Sequence, residues 1–70
     1  MNKSEIFFII QDSLEGGFEA HAPGESIFTE AESLEELKKN IREAVACHFE
    51  DDKMPKIIRL HYIKEEIIAA

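Results

Sequence analysis

Apolar and polar residues alternate along this chain in two different rhythms. From Ser33 to Phe49 (SLEELKKNIREAVACHF) the apolar positions are Leu34, Leu37, Ile41, Ala44, Val45 and Phe49. That three-and-four spacing draws a stripe down one face of an α-helix. Ser33 is placed as its N-cap, and Glu36 three residues later can complete a capping box. Glu35 stands four residues before Lys39, the favourable order for a surface ion pair. Elsewhere the rhythm is that of strands. Glu5 to Asp12 (EIFFIIQD) holds five consecutive apolar residues, with Ile6, Phe8 and Ile10 facing one way and Phe7 and Ile9 the other. Such a run predicts a central strand with apolar material on both faces.

The remaining elements follow in order. SLEGG (residues 13–17) is a turn by composition, with glycines free to take positive φ. Phe18 to Ala22 alternates, Phe18, Ala20 and Ala22 against Glu19 and His21, as a half-exposed strand does. Pro23-Gly24 suits the two central positions of a type II turn. Glu25 to Thr29 is expected as a short third strand at an edge, and Glu30-Ala31-Glu32 as an acidic lead-in beside the positive end of the helix dipole. The stretch EDDKMP stops the helix after Phe49. Lys56 to Ile63 (KIIRLHYI) reads as the fourth strand, Ile58, Leu60 and Tyr62 on one side and Ile57, Arg59, His61 and Ile63 on the other. The tail KEEIIAA fits a short helix or the end of a strand equally well.

The order β-β-β-α-β restricts the topology. A crossover helix after an antiparallel meander returns the chain parallel to the first strand, and if the last strand lies beside the apolar first strand the sheet order is 3-2-1-4, with a right-handed crossover. The expected fold is therefore α+β: one four-stranded, mostly antiparallel sheet with one helix on one face. Residues 1–70 read as a single domain, with no internal repeat or linker. One helix covers only one sheet face, so the apolar surplus points to self-association, with Phe7, Ile9, Ile57 and Ile63 as the candidate face.

Composition narrows the function. Fifteen acidic and eight basic side chains give a formal net charge of -7. That disfavours nucleic acid, whose phosphates need cations, and equally an anionic membrane; it suits steering toward a basic protein. Plain solubility is the competing explanation. The lone Cys47 cannot form an internal disulfide, and no apolar run approaches a membrane span or a signal peptide, so a cytoplasmic protein is expected.

Chemistry is scarce. His21, His48, His61 and Cys47 show no metal-ligand spacing. The dipole at the helix C-terminus accounts for His48. None of Ser4, Ser13, Ser26, Ser33 or Thr29 lies in a nucleophile motif, and Gly16-Gly17 is not a phosphate-binding loop. Asp12 and Glu19 could approach each other across the first hairpin, but Asp51 and Asp52 fall in a loop and nothing assembles a carboxylate cluster. Neither an enzyme nor a metal or cofactor site is expected.

The succession Asp12, Gly16-Gly17-Phe18, Thr29, and then Ser33 through Glu43-Ala44 resembles the HicB-like antitoxin family. The helix features shared with that family read here as SLEEL and NIREAV, with Asn40, Glu43 and Ala44. The likeness covers about Ile6 to Leu60. It implies a partial ribonuclease H-like β-β-β-α-β fold without ribonuclease activity. It further implies an antitoxin role: binding a small basic HicA-like toxin and blocking its mRNA cleavage. Many members carry a C-terminal helix-turn-helix or ribbon-helix-helix segment. None is read in these residues, so DNA binding is not part of the expectation. Glu15, Glu19, Glu30 and Glu32, flanking loops and the helix start, are the candidate toxin contacts; ordinary solvated charge is the alternative at each. An orphan homodimeric binding module is the alternative function.

Overall fold

A computed structural model describes residues 5–64 and 66–70; Ser4 and part of the tail reading fall outside these. The element order is β1 (Glu5–Asp12), β2 (Phe18–Ala22), β3 (Ile27–Ala31), α1 (Leu34–His48), a 3-10 turn (Asp51–Lys53) and β4 (Ile57–Ile63). The sheet runs β3-β2-β1-β4, with β1–β2 and β2–β3 antiparallel and β4 parallel to β1. The sequence-derived α+β topology and strand order are thus observed.

Period-two alternation decides which side chains meet the helix. Ile6, Phe8 and Ile10 from β1, Ala20 and Ala22 from β2 and Ile27 from β3 are buried with Leu37, Ile41 and Val45 of α1. Ala20 and Ala22 are small and fully covered, and Phe8, Ile10, Leu37 and Ile41 are the large side chains that fill the core with them. The helix lies across β3 and β2 and off β4. Ile58 and Leu60 therefore border the core without being enclosed by it.

Local signals set the boundaries. The Ser33 hydroxyl accepts from the Glu36 N–H at 3.2 Å, and the Phe49 N–H reaches the Val45 carbonyl at 3.1 Å. The capping box is only half closed, because Glu36 returns no side-chain bond to Ser33. Glu35 and Lys39 form no ion pair, in keeping with the small gain available to an exposed pair. At the helix end His48 Nε2 meets Glu25 Oε2 at 3.1 Å, so His48 fastens α1 to the β2–β3 turn in addition to facing the dipole. That turn is closed by the Glu25 N–H on the Ala22 carbonyl at 3.0 Å, with Gly24 at φ 85°, as expected for a type II turn.

One boundary differs from the sequence reading. The third strand is Ile27–Ala31, not Glu25–Thr29, because the turn consumes residues 23–26 before pairing begins at Ala22↔Ile27. Glu30 and Ala31 are consequently strand residues rather than a lead-in.

Candidate functional site: the uncovered sheet face

Odd-numbered residues of β1, β2 and β4 and even-numbered residues of β3 point away from the helix, and the register sorts them into rows. One row reads Ile63, Gln11, Glu19, Glu30 across β4-β1-β2-β3; the next reads His61, Ile9, His21, Phe28. Beyond these lie Phe7 beside Arg59 and Glu5 beside Ile57. The face thus divides into an acidic end and an apolar, aromatic and histidine-bearing band.

The acidic end is a concavity of about 630 Å³, lined by the first row together with Asp12, Ser13, Leu14 and Glu15 of the β1–β2 loop. Its loop is built by two backbone bonds, from the Ser13 N–H to the Gly17 carbonyl at 3.0 Å and from the Gly16 N–H to the Ser13 carbonyl at 3.1 Å. Gly17 is required there: its φ is 81°, and a Cβ would stand 2.5 Å from the Ala31 carbonyl oxygen. The close approach presses the loop against the end of β3. On the far side, the Asn40 side chain donates to the Glu30 carbonyl at 3.3 Å, so the helix steadies the strand that carries Glu30.

Within the concavity Glu19 and Glu30 are direct cross-strand partners. Like charges in that relation oppose folding. Gln11 Nε2 donates to Glu19 Oε1 at 2.7 Å, and Asp12 and Glu15 add two more carboxylates at the rim. Placing four carboxylates around one depression suits an incoming cation. Glu30→Gln should therefore raise the melting temperature, by the equivalent of about 0.2–1 kcal/mol, which thermal denaturation at neutral pH and low salt will read; a fall would show that Glu30 is structurally needed.

Of the four predicted acidic contacts, Glu15, Glu19 and Glu30 come together and Glu32 does not. β3 ends at Ala31, where the chain turns into the cap at Ser33, so Glu32 leaves the row before it can join it. Asp12 enters the concavity, although Gln11 and not Asp12 is the residue opposite Glu19. Among the described residues, no group of three or more His, Cys, Asp or Glu side chains could hold a metal ion. Cys47 is exposed on the helix.

The four predicted self-association residues all lie on the uncovered face. Phe7, Ile57 and Ile63 are each about half exposed, and Ile9 is partly buried between its neighbours. Phe7 meets the His61 ring edge-on with centroids 5.2 Å apart. Phe28, 61% exposed, belongs to the same face and was not singled out from the sequence. Its signal was the alternation Phe28, Glu30 against Ile27, Thr29, legible only once the third strand is correctly bounded. Arg59 Nε pairs with Glu5 Oε2 at 3.0 Å at the opposite end from the acidic concavity.

These features define a small α+β domain whose sheet is covered on one side and presents a divided acidic and apolar face on the other. The chain is 46% identical over 52 residues to a UPF0150 protein of Archaeoglobus fulgidus, covering 74% of this chain and 77% of that one. It is 39% identical over 67 residues to a UPF0150 protein of Thermotoga maritima, covering 96% and 94%. The chain belongs to the UPF0150 family. No family model and no solved structure matches it. No helix among the described residues is long and apolar enough to cross a membrane.

Proposed function

We propose that this chain is a HicB-like, antitoxin-type protein of the cytoplasm that binds a small basic HicA-like toxin and neutralises its mRNA cleavage. The observation that carries this reading is the convergence of Asp12, Glu15, Glu19 and Glu30 on one concavity, with Glu19 and Glu30 paired against their own repulsion. A basic partner relieves that repulsion on binding, so stability given up in the free protein returns as affinity. The net charge of -7 supports the same polarity of partner, and the sequence likeness to HicB-like antitoxins supplies the toxin as its chemical class. The protein acts by occupying the basic RNA-binding surface of the toxin and performs no catalysis itself. The test is an RNA-cleavage assay with a purified HicA-like toxin: stoichiometric addition of this protein is expected to stop cleavage, and undiminished cleavage at excess protein would overturn the reading.

The second reading is a homodimeric binding module without a toxin partner. It is favoured by Phe7, Ile57 and Ile63, half-exposed apolar side chains on one sheet face. In that case Phe7→Asp would convert a dimer to a monomer in light scattering while leaving the helix content unchanged.

A further inference from the structure

On the helix side of the sheet, the offset of α1 toward β3 leaves a groove between α1 and β4. Ile41, Ile58 and Leu60 form its floor, and Lys38, Arg42 and Lys56 stand around it; the space is about 290 Å³. Three of the eight basic side chains of a strongly acidic protein are thus gathered at one apolar groove. None of the three makes an ion pair among the described residues. The groove adjoins β4, an edge strand whose outer side has no neighbouring strand among the described residues. An edge of this kind leaves backbone N–H and C=O groups ready to receive an extended segment.

The chain carries a segment of complementary chemistry. After β4 the sequence continues Lys64-Glu65-Glu66-Ile67-Ile68. Ile67 and Ile68 are 86% and 87% exposed, and Glu66 is exposed beside them. In an extended segment Glu66 and Ile68 share one face, an acid two residues before a branched aliphatic residue, and that pair matches a groove with a cationic rim and an apolar floor.

A tight antiparallel return within its own chain does not seat this pair on that floor. A two-residue reversal after Ile63 would set Glu66 opposite Ile63 and Ile68 opposite His61, on the sheet face away from the groove. The groove residues Ile58 and Leu60 also lie nearer the start of β4. From a second copy no such limit applies.

We infer that the segment from Glu66 to Ile68 of one copy lies extended along β4 of another, Ile68 on Ile41, Ile58 and Leu60 and Glu66, two residues earlier on the same face, toward Lys38, Arg42 and Lys56. Mutual exchange makes a closed, two-fold dimer. The groove and the acidic concavity are on opposite sides of the sheet, so this dimer leaves both concavities open to a basic partner. It also differs from a dimer through Phe7, Ile9, Ile57 and Ile63, which would cover the other face.

The experiment is light scattering with size exclusion, from low to high micromolar, on the full chain and on two full-length variants. Ile67→Asp/Ile68→Asp alters only positions exposed in the single chain and should leave its far-ultraviolet circular dichroism in place. Arg42→Glu alters an exposed helix position. The wild-type chain is expected to be a dimer, and the tail variant to weaken dimerisation about 100-fold or more. Arg42→Glu is expected to weaken it as well, and the two variants mixed are expected to form a heterodimer, since that pair retains one intact segment and one intact groove. A monomeric wild-type chain, or a dimer that survives both variants, overturns the exchange. So does a monomer whose Ile67 and Ile68 amides are protected from hydrogen exchange, because the segment would then lie on its own chain.

Discussion

Phe8→Ala is expected to remove about a third or more of the folding stability of this protein. Phe8 is fully buried at the middle of β1, flanked by Ile6 and Ile10 along the strand and facing the Leu37, Ile41, Val45 stripe of α1. Truncating a buried phenylalanine removes its transfer free energy and leaves a cavity, together about 3–5 kcal/mol. A 70-residue domain has only about 4–10 kcal/mol of stability in all. The corresponding fall in melting temperature is roughly 12–40 °C. Phe7→Ala, one residue away on the uncovered face, should cost less than about 1 kcal/mol, since Phe7 is 43% exposed and meets His61 only edge-on. Circular dichroism melts of the two variants check the assignment of faces directly. Comparable losses at both positions would mean that the second face is also buried.

Gly17→Ala should be the most damaging change in the β1–β2 loop. The residue sits at φ 81°, where an alanine costs about 1–2 kcal/mol from backbone sterics. Its Cβ would add contacts of 2.5 Å to the Ala31 oxygen and 3.1 Å to the Glu32 Cα, both backbone atoms that cannot swing aside. The combined loss is expected at about 2–4 kcal/mol. Gly16 provides the control: its φ is 96°, but nothing lies near the added carbon, so Gly16→Ala should carry the backbone cost alone, about 1–2 kcal/mol. Because the loop carries Glu15 over the concavity and rests on the end of β3, Gly17→Ala should weaken binding of a basic partner even in the molecules that remain folded. Equal stability of the two alanine variants would show that the loop does not press on β3.

The pattern that made the fold legible is strong and local. Five apolar residues in a row marked β1, the three-and-four spacing marked α1, and Ser33 fixed the start of the helix to the residue. Period-two alternation places Phe7, Ile9, Ile57 and Ile63 together on the far face. The candidate site was legible only in part, because it depends on register. Glu19 faces Glu30 only if the β2–β3 turn uses four residues, whereas the sequence reading assigns Glu25 and Ser26 to the strand. Glu32 was grouped with Glu30 because both belong to the acidic stretch before the helix start; Glu30 is a strand residue, and β3 ends before Glu32. The groove between α1 and β4 depends on where along the sheet the helix settles. Ala20 and Ala22 favour the β2–β3 side by letting the helix come close there, and no periodicity in the helix itself carries that information.

The central claim is that the acidic concavity recognises a basic toxin. The most direct measurement is a calorimetric titration of a purified HicA-like toxin into the wild-type chain and into Glu19→Lys/Glu30→Lys, each at low salt and at about 0.5 M salt, where charges are screened beyond a few ångströms. Both variant positions are on the uncovered face and outside the core, so thermal melts should confirm that the variant folds. The account predicts binding by the wild-type chain that weakens at least about tenfold at the higher salt, and binding by the double variant at least about 100-fold weaker than wild type at low salt. No binding by the wild-type chain, or equal affinity for both proteins at both salt concentrations, would contradict it.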